Sequence, residues 1–330
     1  MKFIAPALAI LLGAATSPAG PLHKEQVAAS AKWLVHLDVD SFLGSQTGGF
    51  VAQLFDKDVK KHTEDLNKQF GVKLDLRSIH SVTAYGTEYK MRGEPSGVLM
   101  VQSDLPVGNM IEAVMAIFDG TAGTNNPLKK IQTKPFPIYT MHHQVFGTPL
   151  KTNLFLISRS RLDLEKGCEV VLGKSANLTS TKTFSAFPEA PNGFVLLGVA
   201  EGFIDAPLPP QAKVLKNADG GQIVAGEKAD KLFLQLSLSG KDAESATQIQ
   251  QVLQGLLALA SLAQGENQDL QQLSQAAKVS SNDKVVTVNL ELPVSTIIDR
   301  VNSEHTKSEK KKSAKKRRKP TDDSQKPAEE

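Results

Sequence analysis

The chain has 330 residues, of which 40% are hydrophobic and 22% charged, and its formal net charge is +3. This length suffices for one large or two ordinary globular domains, and the composition excludes a wholly disordered chain. Cys168 is the single cysteine, which excludes an intramolecular disulfide, so burial alone must hold the core together.

The first 19 residues follow the plan of a secretory signal peptide. Lys2 precedes a short apolar run, and small residues lead to a predicted cleavage after Ala19. The run is too short to cross the roughly 30 Å of a bilayer's hydrocarbon core. We therefore predict an exported bacterial protein, periplasmic or extracellular, with no transmembrane span in the mature chain. A retained membrane anchor is the alternative.

Residues 31–43 alternate strictly between apolar and polar side chains, which predicts a half-buried strand. We expect its apolar face to be turned to the core: Trp33, Val35, Leu37 and Val39. We expect its polar face to point outward: His36, Asp38 and Asp40. Helical spacing follows over residues 50–70, after a predicted turn at Gly48 and Gly49.

A unit of two strands and a helix is predicted four times after this helix. In chain order the units comprise 78–88, 97–102 and 107–118; 138–143, 153–158 and 162–172; 221–227, 231–238 and 242–263; 277–281, 284–292 and 294–301. A further strand at 192–201 opens the second half as the strand at 32–40 opens the first. Because short links join the strands in hairpins, we expect antiparallel pairing.

These elements predict an α+β fold of two lobes with similar plan, built from repeated β-β-α units. We expect mainly antiparallel sheets with helices on one face. The first lobe covers residues 20–175 and the second covers 176–302, separated by a stretch rich in Ser, Thr, Ala and Pro. Whether the two lobes share one sheet is left open by the sequence.

Three polar residues on one strand face are the best candidates for chemistry. His36, Asp38 and Asp40 alternate along the predicted strand, about 6.7 Å apart, and their side chains are ligands that divalent cations accept. The alternative is an ordinary polar face on a surface strand. The competing hypothesis for function is therefore a metal-dependent hydrolase that binds its metal through these three residues.

Other catalytic signatures are missing from the sequence. No nucleophile elbow, dinucleotide-binding glycine pattern, P-loop or zinc-protease motif occurs. We therefore favour a non-enzymatic protein and expect no cofactor.

Cys168 lies in a predicted amphipathic helix, where a small buried residue is the ordinary interpretation. The apolar surface of the helix at 242–263 is broad, which suggests either core packing or the groove of an apolar-ligand carrier.

The last segment, residues 303–330, is predicted to be a disordered tail, first basic and then acidic. It holds ten Lys or Arg against six Asp or Glu and almost no apolar residues. Its cations are expected to attract an anionic polymer or an anionic membrane surface in a salt-dependent way, without sequence-specific recognition of nucleic acid. The candidate polyanion-binding residues are Lys310, Lys311, Lys312, Lys315, Lys316, Arg317, Arg318 and Lys319.

The segment Ala31-Lys-Trp-Leu-Val-His-Leu-Asp-Val-Asp-Ser-Phe42, soon after a signal peptide, resembles uncharacterised exported proteins of planctomycete and verrucomicrobial bacteria. The resemblance implies a bacterial envelope location and supplies neither an activity nor site residues. Taken together, the sequence favours an exported envelope or extracellular binding or scaffold protein whose cationic tail meets anionic surfaces. Protein partners are not indicated.

Overall fold

The structure is a computed structural model of the chain, and it describes residues 20–70, 75–89, 97–122, 126–202, 218–262, 273–303 and 306. The predicted signal peptide and nearly all of the basic tail lie outside these residues. The described elements confirm a mixed fold of helices and antiparallel strands.

The described strands form a single twelve-stranded sheet in which every neighbouring pair is antiparallel. In chain order they are β1 (Trp33–Asp38), β2 (Ile79–Gly86), β3 (Val98–Ser103), β4 (Leu128–Gln132), β5 (Ile138–Met141), β6 (Val145–Lys151), β7 (Leu154–Ser158), β8 (Phe194–Glu201), β9 (Ala218–Lys228), β10 (Lys231–Gly240), β11 (Ala277–Asn282) and β12 (Val285–Pro293). Their order across the sheet is β11-β12-β10-β9-β8-β1-β2-β3-β7-β6-β5-β4.

The two halves of the chain meet at the β1–β8 pair, where Trp33 lies opposite Ala200 and Leu37 opposite Leu196. Each half therefore continues the other's hydrogen-bonded ladder, and the predicted division into two lobes of repeated plan is not confirmed. The sheet is continuous because β1 has a partner on both sides, β2 from the first half and β8 from the second.

The α-helices include α1 (Val39–Gly44), α2 (Gln46–Phe70), α3 (Val107–Ala122), α4 (Arg161–Val171), α5 (Ala243–Leu262) and α6, which covers residues 294–303, and residues 273–276 are helical too. They lie on both faces of the sheet, so the expectation of helices on one face was wrong. Leu164 and Cys168 of α4 pack with Leu34, whereas α5 packs on Leu238. The register places Leu238 on the same face as Trp33, opposite to Leu34.

The main core lies under α4. Its buried apolar side chains come from the segment before β1, from strands β1, β2, β3, β5, β7 and β8, from α4 and from the segment between α4 and β8, with Leu34, Leu156 and Leu164 at most 2% exposed. Each such leucine contributes roughly 1.5–3 kcal/mol through burial. The helix begins where the sequence provides a cap, since the Ser160 side chain accepts a hydrogen bond from the Asp163 amide.

The β5–β6 connection differs from the prediction. The sequence predicted a strand at 138–143 and the next one at 153–158, but strand β6 (Val145–Lys151) lies between them. The turn before β6 occurs at His142 and His143, which have positive φ angles of 51° and 57° and are exposed. Two successive positive φ angles suit the twist of a tight hairpin, so backbone geometry decided the position of this turn.

Helix α2 begins earlier than its helical spacing indicated, and a tertiary contact explains this. The Glu227 carboxylate on β9 accepts hydrogen bonds from the amides of Gln46 and Thr47 at 2.9 and 3.0 Å. Burial raises the pKa of Glu227, but these hydrogen bonds outweigh burial and leave the pKa lowered. The predicted turn at Gly48 and Gly49 was therefore wrong, because both residues lie within α2. Glycine is required at position 48, since a Cβ there would lie 1.7 Å from the Phe42 carbonyl oxygen.

Candidate functional site

Asp38 caps a helix rather than extending the polar face of a strand. Strand β1 ends at this residue, and its carboxylate accepts hydrogen bonds from the Ser41 amide at 2.8 Å and the Ser41 hydroxyl at 2.7 Å. It also accepts one from the Gly20 amide at 3.2 Å. Because its carboxylate accepts all three hydrogen bonds, Asp38 is a structural residue that starts α1 and holds the segment before β1 in place.

His36 is completely buried on the face of β1 that was expected to point outward. Its Nδ1 lies 2.8 Å from the Thr83 hydroxyl, and its Nε2 lies 3.0 Å from the Gly20 carbonyl oxygen. Burial lowers the pKa of His36, so the imidazole is neutral near pH 7. The predicted orientation of β1 was therefore inverted: Leu34, His36 and Asp38 are buried, while Val35 is 44% exposed.

Asp40 belongs to α1 and contacts a histidine that the sequence did not indicate. The His80 Nδ1 lies 3.0 Å from the Asp40 carboxylate, and its Nε2 lies 2.9 Å from that of Asp104. Burial lowers the pKa of His80, but the hydrogen bonds to Asp104 and Asp40 outweigh it and raise the pKa. This cluster ties α1 and the segment before α3 to the start of β2.

The described residues contain no group of three or more His, Cys, Asp or Glu side chains that could hold a metal ion. His36, Asp38 and Asp40 instead have three different sets of partners. Cys168 is fully buried in α4, and burial raises the pKa of its thiol to about 12. A protonated, buried thiol is a poor nucleophile.

A cleft of about 450 Å³ lies beside α4. Its floor is made mostly of backbone and small residues around Ala29, Gly86 and Gly97, with Asp163, Lys166 and Glu169 among its lining. Burial raises the pKa of Tyr85 in this cleft, so the phenol is protonated at neutral pH. No acid–base pair is formed there by the described side chains.

The opposite face of the sheet carries an extended apolar surface, which we call the apolar face. Residues paired across antiparallel strands share a face, and two rows of paired residues cross nine strands from β7 to β11. One row is Ile157, Leu99, Ala84, Val35, Gly198, Ile223, Leu236, Val288 and Val279. The other is Phe155, Val101, Val82, Leu37, Leu196, Ala225, Leu234, Leu290 and Ala277.

Every residue of the two rows except Gly198 is at least partly exposed. Val35, Ile223 and Leu234 reach 44%, 38% and 36%. Nine strands spaced by about 4.8 Å give the rows a length of roughly 38 Å. The apolar face therefore remains partly uncovered at the centre of the sheet, where β1 and β9 lie.

Two helices flank the apolar face. Near β5, Glu112 of α3 accepts a hydrogen bond from the Tyr139 hydroxyl at 2.5 Å and contacts Lys130 at 2.7 Å. Near β10, α5 leaves a cleft of about 250 Å³ that is lined almost entirely by apolar side chains, among them Leu234, Leu257 and Leu290. This volume is slightly below the range of small-molecule pockets.

One feature of the sequence indicated that both faces of the sheet are apolar. Strands such as β3, β7 and β8 are apolar on both sides, as in Leu154-Phe-Leu-Ile157. A strand that is apolar on both sides is buried on both sides in an ordinary sheet. The sequence could not indicate that helices would cover one side closely and the other only in part.

No family model and no curated protein matches the chain. Among solved structures, crystal form III of TP0453 aligns with a TM-score of 0.46 at 10% identity, covering 86% of this chain and 98% of that one. Crystal form IV aligns with a TM-score of 0.44 at 9% identity, covering 84% and 95%.

Proposed function

We propose that this chain is an exported, non-enzymatic binding protein that holds the apolar part of an anionic amphiphile on its apolar face. The observation that carries the proposal is the partial exposure of the two apolar rows, with Val35 44% exposed at the middle of the sheet. Large exposed apolar patches mark binding surfaces, because leaving them in water costs free energy.

The anionic head group is inferred from the position of the basic segment. Helix α6 follows β12, and the Val294 amide donates a hydrogen bond to the Asp230 carbonyl oxygen at the β9–β10 turn. At 1.5 Å per residue, its ten residues end about 15 Å from this turn. The first cation of the basic segment is Lys307, four residues further along the chain. Leu234 and Leu290 of the apolar face lie close to the same end of the sheet.

The polar clusters support a non-enzymatic role. His36, Asp38 and Asp40 are engaged by backbone, serine, threonine and histidine partners, and each of these contacts holds a structural element. No observation favours the metal-dependent hydrolase, which was the competing hypothesis. The apolar-ligand carrier is favoured instead, because α5 is not fully packed and leaves an open apolar cleft.

The experiment is a binding titration with a dansyl-labelled fatty acid. We expect the protein to raise the dansyl fluorescence and Leu234→Gln to weaken binding about tenfold, since a polar side chain would enter the apolar cleft. Leu162→Gln is the matched control, because Leu162 is 60% exposed on α4 and lies outside the apolar face. Absence of binding, or equal loss in both variants, would contradict the proposal.

The tail has its own test. Deleting residues 303–330 should abolish retention on an anionic resin at low salt while leaving fatty-acid binding on the apolar face measurable. Raising the salt concentration should release the full chain in the same way. If the shortened protein is retained as strongly as the full chain, the cationic segment has no role in attaching this protein to anionic surfaces.

A further inference from the structure

Helix α5 presents an uncharged surface to solvent. After Glu244 it has no charged residue up to its end at Leu262. Protein surfaces ordinarily carry about 25–35% charged residues. On this surface three apolar side chains are exposed, Val252 at 40%, Leu256 at 55% and Leu259 at 67%. Their spacing of four and three residues places them in one stripe along the helix.

The direction of this stripe follows from helix geometry. Ala246, Ile249 and Leu253 face the sheet, where they pack with Leu238 and Val286. Gln254, Ala258 and Ser261 line a third cleft of about 300 Å³ beside the edge strand β11, which we call the edge cleft.

At 100° per residue, the exposed stripe lies on the side of α5 opposite to the residues that line the edge cleft. It therefore faces away from the edge strand, toward the centre of the sheet and the uncovered part of the apolar face. The stripe forms a rim of that face.

From this arrangement we infer that α5 is a docking element for an anionic lipid bilayer, with Val252, Leu256 and Leu259 inserted at the level of the head groups. The inference deepens the proposed function and rests on it, since the bilayer would be the source of the amphiphile.

Two observations favour a bilayer as the occupant. The first is charge complementarity, because the basic segment follows α6 in the chain, α6 begins at the β9–β10 turn, and cations joined to a protein with an apolar stripe add electrostatic attraction to anionic lipid. The second is the character of α5. It exposes Val252, Leu256 and Leu259 and has no charged residue after Glu244, so placing this surface among lipid head groups would desolvate no charge. None of the described helices has the length and apolarity needed to cross a membrane.

The test is co-sedimentation of the full chain with vesicles of phosphatidylglycerol and phosphatidylcholine. The test variant is the double substitution Leu256→Ser and Leu259→Ser. The matched control is Leu162→Ser with Leu172→Ser on α4, at residues that are 60% and 41% exposed. Circular dichroism and thermal unfolding establish that both variants are folded. We expect the test variant to lower vesicle partitioning about tenfold or more and the control to leave it unchanged.

Unchanged partitioning of the α5 variant would overturn the docking surface, and so would an equal loss in the control. A concentration-dependent dimer that the α5 substitutions abolish, without vesicle binding, would assign the stripe to a second copy and also overturn it. Dansyl fatty-acid binding is measured in parallel and decides the proposed function separately. Vesicle binding that depends on Leu256 and Leu259, in a protein that binds no fatty acid, supports docking and rejects the amphiphile site.

Discussion

Replacing valine by threonine should destabilise the protein strongly on one face of the central strands and only slightly on the other. Val199 on β8 is 6% exposed in the core under α4, whereas Val35 on β1 is 44% exposed on the apolar face. The two side chains are nearly isosteric with threonine, so the change tests polarity rather than volume. A hydroxyl buried without a partner costs about 1–3 kcal/mol, and an exposed one costs little.

We therefore expect Val199→Thr to lower the free energy of unfolding by about 2 kcal/mol and Val35→Thr by less than about 0.5 kcal/mol. Urea unfolding of ligand-free protein measures both values, with an unchanged m-value as the control for two-state behaviour. Equal destabilisation by the two variants would mean that Val35 is packed as tightly as Val199. In that case the apolar face is closed and the amphiphile site does not exist.

Three further predictions concern the polar residues. Asp38→Ala should destabilise the protein by about 2 kcal/mol in urea unfolding through loss of the α1 cap, and Asp38→Asn, which keeps the acceptor, should cost less. Because the folded pKa of His80 is raised, its stabilisation is complete below pH about 6.5 and is lost as the pH rises through the folded value. His80→Gln should therefore flatten the pH dependence of stability in that window, and an unchanged profile would contradict the assigned ion pairs. Cys168 should resist iodoacetamide at pH 7 until denaturant is added, because its pKa is raised to about 12.

Periodicity predicted the regular elements well. Strand β10 was expected at 231–238 and extends over Lys231–Gly240, and helix α5 was expected at 242–263 and extends over Ala243–Leu262. Both carry strong local signals, alternation in one and helical spacing in the other. Strand β4 was missed because its sequence Leu-Lys-Lys-Ile-Gln has little alternation, and its place at the sheet edge depends on pairing with β5.

The candidate site could be predicted much less well. The sequence placed His36 and Asp38 on a strand, as the structure does, but it also placed Asp40 there, whereas β1 ends at Asp38 and Asp40 lies in α1. The burial of His36 and Asp38 depended on the segment around Gly20, which covers that face. His80 had no local signal, since its partners Asp40 and Asp104 are 40 and 24 positions away in the chain.

Local physical chemistry determined where strands and helices form, because hydrophobic periodicity, caps and turn residues act over a few neighbouring positions. Alternation on β1 also established that its two faces differ, but it assigned the core to the wrong face. Which face is buried was decided by tertiary packing, since a strand with apolar Leu34 and Val35 on opposite sides can bury either. The pairing of β1 with β8 likewise joined two halves into one sheet, because sheet order depends on contacts between distant segments of the chain.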